Sequence, residues 1–433
     1  MLTPNFSSDA ACDTAGASWL RATRSFAVAL LVACLAACGG GGGSSGGSNN
    51  SASTSGGTSG PSQQPIAANA SNTVPVTVNA GLTGQLPNIP TVSVTVCVSG
   101  TSNCATVNNV QVDTASFGLR VLASALPSSI SGALPVAAAT GGGTLAECTA
   151  FADGYTWGSI RSADVKIGGE TATNIPIQVI GDLATSSTPQ ACANYGDPQN
   201  TVQDLGANGI LGIGVAPSDC GTNCTKASGS NYFACPNGTS CTVTAVSIAQ
   251  QVANPVPHFA TDNNGVILQM APVSSSGAPS ATGTLVFGIG TQSNNTLAAA
   301  TVLPTDAWGN VAASLNSRSL TGFLDSGSNG LFFTDSALAQ CGGNLGTFFC
   351  PSTVQSFSAA LTAKDGTKGT ASFNVANAQS LLGSGNNYAA NNLAGQFGSV
   401  TSLDLGLPFF YGRYVYYGVD QTASGGKAPY VAF

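Results

Sequence analysis

Apolar residues in this chain come in strand-length bursts separated by Gly, Asn, Ser and Pro, a rhythm that predicts an all-β protein. Val74–Val78 and Thr91–Val98 alternate apolar and polar positions, as strands with one buried face do. Tyr155–Ile160 opens a hairpin-like region that continues through Ala163–Ile167, a Gly168-Gly169 turn and Ile175–Ile180. Gly209–Gly214 reads as a buried strand interrupted by glycine. Leu403–Phe410 repeats that apolar-Gly-apolar pattern and precedes the aromatic strand Tyr414–Val419. Val266–Met270 and Thr284–Phe287 begin a second series of strands. Helices are predicted at Val246–Val252, ended by Pro255, and at Ser352–Ala363, where Phe357 and Leu361 share a face at helical spacing.

Two of the apolar bursts end in an acid. Phe323-Leu324-Asp325-Ser326-Gly327-Ser328 runs from strand to acid to tight turn, and Leu331-Phe332-Phe333 leaves as a second apolar strand. Val110-Gln111-Val112-Asp113-Thr114-Ala115-Ser116 does the same far upstream and leaves through Phe117–Leu122. In both halves the acid turn comes first and the apolar-Gly strand later. This order predicts a fold of two related halves with Asp113 and Asp325 meeting between them. Two carboxylates ~3 Å apart cannot both be ionised, so they share one proton and their apparent pKa values split. The ionised member can then take a proton from a water, while the protonated member donates to a substrate carbonyl oxygen. That chemistry hydrolyses a peptide bond without a metal or a covalent intermediate.

These motifs resemble those of the pepsin-like aspartic peptidases, and the chain as a whole is similar to an uncharacterised bacterial lipoprotein family with the same signatures. Asp113-Thr114-Ala115-Ser116 and Asp325-Ser326-Gly327-Ser328 are similar to the two Asp-Thr-Gly-Ser loops of the pepsin-like family. Tyr155-Thr156-Trp157-Gly158-Ser159 resembles the flap, the hairpin that closes over substrate, with Tyr155 as its tyrosine. Ile210-Leu211-Gly212 and Leu405-Gly406 resemble the segments that brace each acid loop, and Leu285-Val286-Phe287-Gly288 a strand early in the second lobe. Over residues 72 to 433 the resemblance implies an all-β, bilobal, pepsin-like fold with two pseudo-symmetric lobes and a central cleft. It also implies that Thr114 and Ser326 bond across the loops and that Ser116 and Ser328 orient the acids. Ala115 departs from the family's glycine, and a Cβ there would strain the loop if the position needed positive φ or a close backbone approach. Arg120 stands where the family usually has tryptophan, and a cation there would lower the acid pair's pKa or bind a substrate carboxylate.

Composition changes this picture little. Charged residues make up 7% and apolar residues 43% of the 433 positions, enough for one large two-lobed body and too apolar for disorder. The net charge of −7, without a basic cluster, argues against nucleic acid as a partner. Arg21 and Arg24 precede the apolar run Phe26–Ala37, too short for a permanent membrane helix, and Leu35-Ala36-Ala37-Cys38 looks like a bacterial lipobox. Residues 1–38 are therefore expected to be a lipoprotein signal peptide, with lipid on Cys38, and residues 39–71 a disordered Gly/Ser-rich tether. Residues 72–265 form the expected first lobe, with flap and Cys-rich insert, and 266–433 the second.

Without Cys12, Cys34 and Cys38, ten cysteines remain, an even number that favours disulfides in an exported chain. Cys97 with Cys104, Cys341 with Cys350 and Cys148 with Cys192 are the expected pairs. Cys220, Cys224, Cys235 and Cys241 admit three pairings within an expected surface loop, Ser218–Thr242. Zinc on these four is the weaker alternative in a chain with one histidine, so no metal and no cofactor are expected. His258, between Pro257 and Phe259, reads as a loop residue, which argues against a Ser-His-Asp hydrolase. Ser424-Gly425-Gly426-Lys427 has the Ser-x-x-Lys spacing by chance, in a terminal glycine-rich turn. The expected protein is a monomer anchored by lipid in the bacterial cell envelope, at the outer membrane, with a peptide or protein as substrate. Its rivals are an inactive binder that holds peptide or glycan in the cleft and a purely structural surface lipoprotein.

Overall fold

A computed structural model of the chain describes residues 61–396 and 398–433. The lipobox, Cys38 and most of the expected tether lie outside the described residues. The architecture is all-β and bilobal. One sheet of sixteen strands carries the first acid turn, and one of seven carries the second. The larger sheet joins distant parts of the chain, because Thr73–Val78 pairs antiparallel with Ala281–Phe287, Val76 opposite Gly283. Residues 61–71 are already part of this body. The Gln63 amide donates to the Gly412 carbonyl at 2.9 Å, and the Ile66 amide to Gln269 Oε1 at 2.9 Å.

The two halves build their acid turns in the same way. Cys104–Asp113 runs parallel to Gly209–Ile213 with Asp113 opposite Gly212, and Phe117–Leu122 returns antiparallel on the other side of that strand. Arg318–Asp325 runs parallel to Ser402–Gly406 with Asp325 opposite Gly406, and Leu331–Phe333 returns antiparallel. In each half the strands entering and leaving the acid turn therefore flank one shared central strand. The glycine of that strand is required by contact. A Cβ on Gly212 would sit 2.6 Å from the Phe117 amide nitrogen, and one on Gly406 would sit 2.0 Å from the Gly330 carbonyl oxygen. Both central strands are buried throughout, which explains the unbroken apolar run of Gly209–Ile213.

Both predicted helices are absent, for different reasons. Residues 355–362 form the strand Gln355–Thr362, paired with Lys368–Val375. Phe357, Ala359 and Leu361 point inward and Ser356, Ser358 and Ala360 outward, which is a period of two. The spacing from Phe357 to Leu361 is even, so it satisfies a strand as well as a helix. Around Val246–Val252 only Ile248–Gln250 forms a 3-10 turn. Val246 and Val252 are buried on either side of it while Ile248 is half exposed, so the segment is tacked down at its ends.

The Cys-rich segment is also more than a surface loop. Its Tyr232–Cys235 is a strand on the edge of Thr144–Phe151, and Cys224, Tyr232 and Cys235 are buried. The disulfides are Cys97–Cys104, Cys148–Cys192, Cys220–Cys224, Cys235–Cys241 and Cys341–Cys350. The four cysteines left open by the sequence thus close two tight local loops.

The strand leaving the second acid turn is anchored by aromatic packing. Phe333 is fully buried, with ring centroids 5.4 Å from Phe349, 5.3 Å from Phe357 and 5.7 Å from Phe373. Truncating such a ring in a packed core costs about 3–5 kcal/mol. Phe333→Ala is expected to lower the unfolding free energy by about that much, read from denaturant titration of the purified protein.

Candidate active site

Each acid is held by its own turn. Asp113 is 1% exposed, and its Oδ1 accepts from the amides of Ala115 at 2.9 Å and Ser116 at 3.1 Å. Its Oδ2 accepts from the Ser116 hydroxyl at 2.6 Å. Asp325, 2% exposed, repeats the pattern with the amides of Gly327 at 2.8 Å and Ser328 at 3.2 Å and the Ser328 hydroxyl at 2.9 Å. An aspartate accepting from the amides two and three residues ahead makes a compact turn of its own backbone, and fixes its carboxylate as it does so.

The two turns are then locked to each other. Ser326 donates its amide to Thr114 Oγ1 at 2.9 Å and its hydroxyl to the Val112 carbonyl at 2.8 Å. The Thr114 hydroxyl reaches the Leu324 carbonyl at 3.4 Å, and Tyr417 donates to the same carbonyl at 3.0 Å. Gln111 Nε2 donates to the Gly327 carbonyl at 2.8 Å. Asp113, Thr114, Ser116, Asp325, Ser326 and Ser328 are thus brought into one site. The approach is close: a Cβ on Gly327 would lie 2.7 Å from Asp113 Cγ. Ala115, at the matching position of the first turn, does not have positive φ, and neither does Gly327. The methyl of Ala115 therefore strains no backbone dihedral, and its effect is limited to the space it fills beside the acids.

Burial, and after it the neighbouring Asp325, push the Asp113 pKa up to about 7. At Asp325 burial works against the charge too, while the Ser328 hydroxyl and the Gly327 amide favour it. Two buried carboxylates in such facing turns favour a single proton between them, and the pKa values belong to the pair rather than to either acid.

Tyr155 and Arg120 are placed differently from the acids. The hairpin is present, Thr144–Phe151 with Gly154–Ile167, and Tyr155 stands opposite Ala150 near its tip. Directly opposed residues share a face, so Tyr155 and Trp157 lie on the face of Cys148. There Tyr155 is 4% exposed and belongs to a cluster with Trp157, Phe233 and the Cys148–Cys192 disulfide. The other face carries Glu147, Thr149 and Thr156, and it is the face that meets Arg120. Arg120 is 1% exposed and donates to Glu147 at 2.8 Å, Asp219 at 3.3 Å, Thr149 at 3.0 Å and the Phe117 carbonyl at 2.7 Å. Its charge is matched inside the protein, and burial with Glu147 beside it raises the Asp219 pKa well above the carboxylate range. A cavity of about 320 Å³ opens next to this cluster, lined by Ala115, Ser116 and Phe117 on one side and Ser228–Asn231 and Trp308 on the other. The acid turn and the Cys-rich segment thus share one pocket.

One acid escaped the sequence reading. Asp404 sits on the second central strand, 1% exposed, with Oδ2 2.6 Å from the Ser328 hydroxyl. The available signal was an acid inside an otherwise apolar buried strand, Leu403-Asp404-Leu405.

With the site described, the relationships of the chain can be stated. It belongs to the family described as "Protein of unknown function (DUF3443)", which matches residues 68–433. No curated protein matches it. Among solved structures it is similar to the crystal structure of aspartic proteinase from Irpex lacteus, at a TM-score of 0.44 and 16% identity, covering 84% of this chain and 97% of that one.

The shifted acid makes stability depend on pH. The folded state holds the Asp113 proton to about pH 7, whereas the unfolded chain releases it near 3.8, so folding binds a proton between those values. That contribution is fully present below about pH 3.8 and is lost as pH rises through about 7. Asp113→Asn is expected to flatten this loss, measured as unfolding free energy against pH for both proteins.

Proposed function

We propose that the protein is an envelope-anchored, aspartic-type endopeptidase. In this reading the ionised carboxylate of Asp325 draws a proton from a water between the two acids. The protonated Asp113 donates to the carbonyl oxygen of the scissile peptide as the water adds to its carbon. As the C–N bond breaks, the proton taken from water passes from Asp325 to the departing amine and a hydroxyl of the gem-diol returns its proton to Asp113, so the pair again shares one proton. The observation that carries the reading is the two buried carboxylates in interlocked turns, each held by two backbone amides and a serine hydroxyl. Thr114 and Ser326 hold the two turns in register, and Ser116 and Ser328 orient the outer carboxylate oxygens. Thr149, which lines the cavity beside Ala115 and Ser116, is better placed to meet a substrate than Tyr155. Lipid on Cys38 would tether the enzyme, as a monomer, to the outer membrane, and no cofactor takes part.

A second reading is supported by Ala115. Its methyl fills space beside the acids where the other turn has only Gly327, and a cleft too narrow for the attacking water would bind peptide or glycan without cutting it. The two readings separate on purified protein incubated with unfolded protein substrates from about pH 3 to about pH 8, with and without a statine-type inhibitor. Cleavage is expected at acid pH, falling as Asp113 loses its proton near pH 7. Asp113→Asn and Asp325→Asn are each expected to reduce it by at least about 100-fold; activity surviving both removes the mechanism. Ala115→Gly is expected to raise kcat, whereas inhibitor binding without cleavage in both proteins would favour the binder.

A further inference from the structure

The two halves differ at one position of the site that packing does not explain. Gly212 lies opposite Asp113 and Gly406 opposite Asp325, so the residues two places earlier, Ile210 and Asp404, are counterparts. Both are buried, at 2% and 1% exposure. One half fills this place with an apolar side chain, so the fold itself does not call for an acid there. Burying a carboxyl without need is costly, and Asp404 Oδ1 has no hydrogen-bond partner among the described residues.

Its other oxygen meets the site. Ser328 Oγ lies 2.9 Å from Asp325 Oδ2 and 2.6 Å from Asp404 Oδ2. A hydroxyl has one proton and cannot serve two carboxylates at once. The hydroxyl of Ser116, the counterpart in the first half, has Asp113 as its one partner among the described residues. We propose that Asp404 is a third acid of this site: protonated, it donates to Ser328 Oγ, commits the single Ser328 proton to Asp325, and so makes Asp325 the ionised member of the pair. Asp404 is a positioning residue here, acting through Ser328. The titratable groups that act on it among the described residues are Asp325, Asp113 and Tyr417. Burial and then the Asp325 charge hold its pKa well above the ordinary range, as a donor at this place requires. When Asp404 ionises, the Ser328 proton turns toward it and Asp325 loses a donor, so the arrangement senses pH as well as orienting the pair.

The proposal rests on the two-carboxylate reading only for what the proton is used for, so its test does not depend on hydrolysis. The full-length protein, labelled at aspartate Cγ, is titrated by carbon NMR as wild type, Asp404→Asn and Asp404→Leu. The Asn amide still donates to Ser328, so D404N is expected to lose one carboxyl that titrates above the ordinary range while Asp325 keeps its proton affinity. D404L removes the donor, and since linked hydrogen bonds reinforce one another the Asp325 proton affinity is expected to rise roughly threefold. An unchanged or lower affinity in D404L, or an Asp404 that titrates like an ordinary carboxylate, overturns the proposal. If cleavage is absent but these titrations appear as expected, the peptidase reading fails and this one stands. Where cleavage is present, D404N is expected to carry it to higher pH than wild type, and superimposable profiles also count against the proposal.

Discussion

The structure depends on the exchange of hydrogen bonds between Thr114 and Ser326. Each turn alone could hold an aspartate, because the bonds from the next amides and the serine hydroxyl are local. Placing two such aspartates against each other requires something to oppose their repulsion and their burial. Thr114 Oγ1 accepting from the Ser326 amide and Ser326 donating to the Val112 carbonyl supply it with buried, neutral bonds. Buried polar groups left unpaired cost about 1–3 kcal/mol each, so neither turn can withdraw without exposing the other. A single proton held between the two acids relieves the remaining repulsion.

The common frame of the halves makes their differences informative. Central strand, acid turn and return strand match, down to the glycine opposite each acid. The departures lie where the halves face each other: Ala115 against Gly327, and Ile210 against Asp404. Each makes the pair asymmetric. The first narrows one side of the site, and the second gives one serine two carboxylates to answer. A pair in strictly equal surroundings would have no fixed home for its proton.

The first half also encloses a second buried charge cluster. Arg120, Glu147, Asp219 and Tyr232 are joined by hydrogen bonds, and Tyr232 accepts from the Val252 amide at 2.7 Å. Breaking up such a cluster leaves an uncompensated charge, which ties the acid turn to the hairpin and to the Cys-rich segment. That segment, through Tyr232–Cys235 and its two short disulfides, forms one wall of the cavity beside Ala115 and Ser116.

Much of this could be read from the chain. Asp113 and Asp325 announced themselves because a strand ending in an acid and a tight turn is a local pattern, and it occurs twice. The strands were visible because a buried face leaves a period of two. Where that pattern met another, the sequence misled: Phe357 and Leu361, four apart, fit a helix and a strand equally. Tyr155 was placed by its neighbours in sequence, yet side-chain direction in a hairpin depends on cross-strand register, which turned it toward Trp157 and the Cys148–Cys192 disulfide. The matched charge of Arg120 depends on Glu147 and Asp219, 27 and 99 residues away. Asp404 looked like part of an apolar run until the strand order set it beside Ser328. The sequence by itself determined the all-β class, the two acid turns and the bonds each makes to its own backbone, because these are short-range. Only the tertiary structure decided which titratable groups meet, since electrostatic coupling follows distance and burial, and neither is encoded locally.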